Sequence, residues 1–148
     1  MTEKKLRHLI IACILLLTAT DLSSQNVEVT VTGIRSDRGQ IAIGVFTDQE
    51  SYMKNEAFLE LQFPKKELKD GTMTVSFTLE PGTYGLCLLD DEDSNRLMHY
   101  NFLGMPREGF GFSDYYHTGL TKPSFDTFKF DLVRGQQKSI KIKVRYIL

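Results

Sequence analysis

The stretch Thr72–Leu89, TMTVSFTLEPGTYGLCLL, decides the fold class, because its apolar residues recur at every second position. A period of two is the repeat of a β-strand with one buried face. In the first half Thr and Ser alternate with apolar side chains, and the second half resumes the pattern after the turn signal Glu80-Pro81-Gly82. The stretch therefore predicts two short strands joined by a tight turn.

The same alternation recurs along the chain, in VEVTVTGI (27–34), GQIAIGVFT (39–47), TFKFDLV (127–133) and KSIKIKVRYIL (138–148). A further strand is predicted in AFLELQFP (57–64), although this stretch could also be irregular. Residues 48–56 predict a short helix with Asp48 as its cap and Tyr52 pointing inward. Polar outer faces favour antiparallel sheets. We therefore expect an all-β fold, an antiparallel β-sandwich of immunoglobulin-like or prealbumin-like type, with about seven strands and one long loop.

The N-terminal residues have the layout of a secretory signal peptide. A basic start is followed by nine apolar residues, Leu9 to Leu17, a run too short to span a bilayer as a helix. We expect a signal peptide over residues 1–25 and one domain over 26–148, exported to the periplasm or secreted, with no membrane span after cleavage. Cleavage would remove Cys13, which leaves Cys87 alone as a buried, inert thiol and excludes an internal disulfide.

Composition narrows the class of partner. The 148 residues are 41% hydrophobic and carry a formal net charge of -1, which suits one globular domain with a sizeable core. Neither sign of charge is in excess, so we expect no nucleic-acid partner.

One long interruption of the strand pattern runs from Asp90 to about Ser124. Asp91, Asp93 and Asn95 begin it at alternate positions, the spacing at which calcium loops place oxygen ligands, and Glu108 could add a carboxylate. The calcium template is broken where Arg96 replaces its glycine and Phe102 its twelfth residue. The alternative is that these Asp and Asn side chains only cap turns.

The rest of the loop leaves several kinds of site open. His99 and His117 could bind zinc only with further ligands of unknown position. The Gly- and aromatic-rich stretch after Gly104 could form a surface for a peptide or glycan, or a small core of its own. A hydrolase would need carboxylates such as Asp91 and Glu108, or His117 together with Ser113.

Two further segments, NFLGMPREGFGFS (101–113) and PSFDTFKFDL (123–132), resemble the bacterial family of unknown function DUF2141. The resemblance implies an exported β-sandwich and no established reaction. Within the acidic stretch Asp91, Glu92 and Asn95 agree with the family pattern. At the four positions where the family has His, Asn, Gly and Asp, this chain has, in the same order, Asp90, Asp93, Arg96 and His99.

The half of the loop that retains the family pattern supplies the candidate ligand-binding residues, which are Glu108, Gly109, Phe112 and Ser113. The candidate metal ligands are Asp91, Asp93, Asn95 and Glu108, with calcium as the ion. We expect a non-catalytic binding or accessory module, stabilised by a cation in the 90–113 loop, that contacts an envelope or extracellular protein, a peptide or a glycan. The alternative is a secreted or periplasmic hydrolase that uses the same loop.

Overall fold

A computed structural model describes residues 25–147, and the predicted signal peptide lies almost entirely outside them. These residues form eight strands. The strands are β1 Gln25–Thr32, β2 Gln40–Phe46, β3 Leu59–Pro64, β4 Met73–Leu79, β5 Gly82–Asp91, β6 Gly109–Phe112, β7 Lys129–Leu132 and β8 Lys138–Lys143. One helix, α1 Gln49–Lys54, and two 3-10 helices, Lys65–Glu67 and Phe125–Thr127, lie between them.

The strands form two sheets, which confirms the predicted sandwich. The first sheet has the order β4-β1-β8, and the second has the order β3-β2-β5-β6, with β7 also paired to β5. The core between them consists of the alternating apolar residues of the sequence pattern. Fully buried members include Val29, Ile43, Leu86 and Ile142. Burial of one face per strand is therefore what holds the two sheets together.

Two features of the sheets differ from the prediction. The last strand, β8, pairs with β1 in parallel, with Val29 opposite Ile140, whereas only antiparallel sheets were expected. A single buried face does not encode strand direction, so the alternation could not reveal this. The long loop also contains a strand, β6, which pairs with β5 and divides the expected interruption in two.

The short helix forms as predicted, by local capping. The Asp48 carboxylate accepts a hydrogen bond from Ser51 N at 2.8 Å, and Asn55 ends the helix in the left-handed conformation. Tyr52 is only 3% exposed. Its ring makes edge-on contacts with Phe46 and Phe128. The helix is thereby attached to the outer face of the second sheet.

The second sheet is apolar on its outer face as well. Phe46, Phe112 and Phe128 form a second buried cluster there, with Phe110 and Cys87 packed against it. The long segments between β5 and β7 cover this face, so they carry apolar anchors of their own. Among the described helices, none combines the length and apolar character needed to span a membrane.

Candidate functional site

The acidic stretch that begins the long loop divides among three environments, and Asp90 takes the first. As an inward-facing residue of β5 it is fully buried, and its carboxylate forms an ion pair with Lys65 and accepts a hydrogen bond from the Tyr146 hydroxyl. Lys65 also donates to Ser36 O at 3.0 Å. Asp90 is therefore part of a buried structural network, and its side chain does not point toward the loop.

Glu92 takes the second environment. Arg35 donates two hydrogen bonds, of 3.1 and 2.9 Å, to the Glu92 carboxylate. Ser36 donates a further hydrogen bond to it, and Arg38 forms an ion pair with it. The hydrogen bond from Arg35 is the main reason why the pKa of Glu92 falls to about 2. Glu92 therefore serves to tie the start of the loop to the segment between β1 and β2.

The third environment brings together Asp91, Asp93 and Glu108. One carboxylate oxygen of each lies within 4.8 Å of the others. The sheet register explains this, because Asp90 pairs with Gly109 and so places Asp91 and Glu108 side by side at the ends of β5 and β6. The turn after β5 then brings Asp93 back to them. Three of the four predicted metal ligands thus meet at one point.

Backbone geometry around Asp91 resembles the start of a calcium loop more closely than its sequence does. The carboxylate accepts hydrogen bonds from Asn95 N and Arg96 N, each at 3.0 Å, and from the Gln40 side chain at 2.7 Å. Arg96 has φ 64°, the left-handed conformation for which the template uses glycine. Its guanidinium makes no ion pair with the three carboxylates.

Asn95, the fourth predicted metal ligand, has a different role in the structure. Its Oδ1 atom accepts from Leu97 N at 2.7 Å, and its Nδ2 atom donates to Asp93 at 2.8 Å. These are the contacts of a turn-forming Asn, so the turn-capping alternative describes this residue. His99 lies nearby, with Nδ1 3.7 Å from the Asp93 carboxylate.

Without a bound cation, the repulsion between these carboxylates lowers the stability of the protein. Glu108 is only 6% exposed and Asp91 is fully buried. Burial raises the pKa of Glu108, and the charges of Asp93 and Asp91 raise it further, against a hydrogen bond from His99 N that lowers it. Asp93 is exposed, but the other two carboxylates are poorly solvated, and like charges held together in this way favour either a proton or a bound cation.

The other candidate ligand-binding residues lie along β6, where each has a packing role. A Cβ atom on Gly109 would lie 2.4 Å from the Tyr146 ring. The Ser113 hydroxyl is buried, donates to Phe128 O and accepts from Leu86 N. Phe112 belongs to the second apolar cluster and also lines a cleft. These contacts fasten the retained half of the loop onto the sandwich.

Of the residues considered for hydrolysis, Ser113 and His117 are held apart in separate contacts. Ser113 makes the backbone bonds just described, Asp114 accepts from Lys141 N at 2.8 Å, and His117 contacts Thr121 O and the Tyr115 hydroxyl. Among the described residues, no hydrogen bond joins Ser113 to His117. The arrangement of nucleophile, base and orienting carboxylate that a triad needs is therefore not formed here.

A cleft of about 570 Å³ lies on the outer face of the second sheet. Its floor is formed by the outward side chains of β2, β5 and β6, including Cys87, Leu89 and Phe110. One side is the segment 96–106, and the other side is the segment 117–123. Burial raises the pKa of the Cys87 thiol, which agrees with the predicted inert cysteine.

The cleft was not predicted from the sequence, although a signal for it exists. In strand β5, the stretch GLCLL (85–89) is apolar at Leu86 and Leu88, which continue the alternation, and also at the intervening Cys87 and Leu89. Such a run indicates a strand buried on both faces, so it could have shown that the outer face of this sheet is covered and carries apolar side chains.

Comparison with known proteins yields one family. Residues 29–141 match the family described as "Uncharacterized protein conserved in bacteria (DUF2141)", a match that covers most of the chain and both sheets. No curated protein and no solved structure matches the chain.

Proposed function

We propose that the chain, which belongs to the DUF2141 family, is an exported, non-catalytic binding module whose long loop is stabilised by a calcium ion. The observation that supports this most directly is the meeting of Asp91, Asp93 and Glu108. The proposal that the protein is exported rests on the N-terminal sequence alone. The proposed identity of the ion rests on the chemistry of the three carboxylates.

The donor set favours a hard cation such as calcium over zinc. All three side chains offer carboxylate oxygens, which are the ligands of hard cations. Two oxygens bound to one Ca²⁺ at about 2.4 Å lie no more than about 4.8 Å apart, and the three carboxylates meet this limit. Zinc would draw on His99, whose ring faces Asp93 and Asn95. A soft or nitrogen-rich donor set is absent from the cluster.

A bound cation would fix the loop at both ends. Asp91 ends β5 and Glu108 precedes β6, so one ion bound to both would hold the two ends of the segment 92–107 together. Glu108 would supply the carboxylate that the template expects from position 102. The same segment forms one side of the cleft, so the ion would organise the surface at which we expect binding.

The first prediction concerns thermal stability with and without calcium. A site with a dissociation constant of about 10⁻⁴ M should raise the free energy of unfolding by about 1–2 kcal/mol in millimolar Ca²⁺ relative to EDTA. For a domain of this size that is a rise in Tm of about 3–8 °C. Equal melting temperatures in Ca²⁺ and EDTA would remove the calcium proposal, and a larger shift with Zn²⁺ than with Ca²⁺ would replace it.

The second prediction concerns the charge of Glu108. Glu108→Gln should raise stability in EDTA, by on the order of 1 kcal/mol, because it removes repulsion with Asp91 and Asp93. The same variant should lose most of the calcium-dependent shift. Melts of the variant in EDTA and in Ca²⁺ measure both effects.

Glu56→Gln is the matched control, since Glu56 is exposed and lies outside the cluster. It should leave both melting temperatures close to those of the parent protein. A Glu108→Gln protein that keeps the full calcium shift would mean that Glu108 does not bind the ion.

A further inference from the structure

We infer that the cleft on the outer face of the second sheet binds an amphiphilic organic carboxylate, a molecule with an apolar chain or ring and one anionic end. This inference rests on the proposed binding function and names its ligand class. It can be tested separately from the calcium ion, because the floor of the cleft and Lys122 lie outside the segment 92–107 that the ion would close.

The body of the cleft is apolar. Cys87, Leu89, Phe110 and Phe112 form its floor. At about 570 Å³ it lies within the usual size range of small-molecule sites. Its lip is apolar too and largely exposed, with Leu97 at 64%, Tyr100 at 59% and Leu120 at 76%. An apolar ligand would cover surface that otherwise contacts water.

One end of the cleft is polar, and one of its polar groups, the Tyr52 hydroxyl, lacks a partner. The Tyr52 hydroxyl is buried and has no hydrogen-bond partner among the described residues. The Lys122 ammonium lies 5.0 Å from the centroid of the same ring and donates to Asn55 Oδ1. A buried hydroxyl without a partner is unusual in a folded protein and costs free energy. A carboxylate beside Lys122 would provide the missing acceptor once the atoms that cover the hydroxyl move aside, because the hydroxyl has almost no exposed surface.

The charges in the cleft are complementary to an anion. Lys122 and Arg96 both line it, and neither forms an ion pair within residues 25–147. Glu60 is the one carboxylate among the lining residues. The side chains alone therefore leave one net positive charge, which one ligand carboxylate would balance.

Other ligand classes fit the cleft less well. A peptide that binds as an added strand needs a sheet edge with unpaired backbone groups. The floor instead consists of β2 and β5, each paired on both sides, and of β6, which is also bridged to the C-terminal segment between Phe110 and Arg145. A glycan would need several hydrogen-bonding side chains on the floor, whose strand residues are apolar.

The test is a fluorescence titration of the full chain, expressed for export, with cis-parinaric acid, a fluorescent long-chain carboxylate. The probe is kept below its micelle concentration. We expect saturable binding at one site per chain and displacement by dodecanoate. Dodecanol, which has the same chain and no charge, should displace the probe about tenfold less well, the effect of one charge-assisted contact.

Two variants assign the contacts. Lys122→Met keeps the aliphatic stem and removes the charge, so it should weaken dodecanoate binding about tenfold and leave dodecanol unchanged. Tyr52→Phe should weaken dodecanoate binding by a smaller factor. Lys141→Met is the matched control, because Lys141 is an exposed lysine of the other sheet, and it should change neither affinity.

The outcomes separate this inference from the calcium proposal. Absence of saturable binding in both EDTA and Ca²⁺ would overturn the cleft assignment, even with a calcium-dependent melting shift. Equal affinity for dodecanoate and dodecanol, or an unaltered affinity in Lys122→Met, would overturn the carboxylate assignment. Carboxylate binding without any calcium shift would support the cleft and reject the calcium ion.

Discussion

Replacing Lys65 by methionine should lower the free energy of unfolding by about 3–5 kcal/mol, the usual cost of removing one partner from a buried ion pair. Lys65 and Asp90 have fully buried side chains. The Asp90 carboxylate would keep its hydrogen bond from Tyr146 but lose its ion pair with Lys65. Chemical denaturation of the variant at neutral pH measures the loss.

Two further variants make this prediction specific. Lys66→Met changes the adjacent, exposed lysine and should alter stability by less than about 0.5 kcal/mol. The double variant Lys65→Met, Asp90→Asn removes both charges and should recover a large part of the loss, since no charge is then left buried. If the single and double variants are equally unstable, the cost comes from packing and not from the unpaired carboxylate.

Replacing Gly39 by alanine should destabilise the protein by roughly 2–5 kcal/mol, for two separate reasons. Gly39 has φ +71°, and a side chain in the left-handed region costs about 1–2 kcal/mol. A Cβ atom there would also lie 2.0 Å from the backbone oxygen of Asp91, which must move. Displacing this strand end should in turn reduce the calcium-dependent shift in Tm, because Asp91 is a proposed ligand.

Gly135→Ala is the control that separates the two costs. Gly135 has φ +80°, but a Cβ atom there would meet no heavy atom within 4 Å. Its substitution should cost only the conformational part, about 1–2 kcal/mol, and should leave the calcium shift intact. Equal losses for the two variants would show that the strand end adapts to the extra atom at no cost.

Prediction from sequence succeeded best where the signal was local. The alternation of apolar residues located the main strands, and the Asp48 cap with an inward Tyr52 located the helix. It failed for β6, whose four residues GFGF carry two glycines and resemble a loop. Both glycines lie where a Cβ would collide with Ile142 or Val144 and Tyr146, so they are required by packing and not by a turn.

The candidate site shows the same division. The sequence indicated which acidic residues could act together, yet it did not reveal that Asp90 and Glu92 are held apart from them by protein cations. Their separation depends on Lys65 and Arg35, which lie 25 and 57 residues away along the chain. The position of Glu108 beside Asp91 depends on the pairing of β6 with β5. The cleft depends on segments that are distant in sequence and cover one sheet.

The sequence by itself therefore determined the class of fold, because period-two burial is a property of each strand alone. It also supplied the pool of carboxylates from which the site is drawn. Only the tertiary structure decided which carboxylate is neutralised by a protein cation, which ones meet around a common point, and which apolar face remains accessible. Those outcomes depend on register and on contacts between distant segments, and neither is encoded in local periodicity.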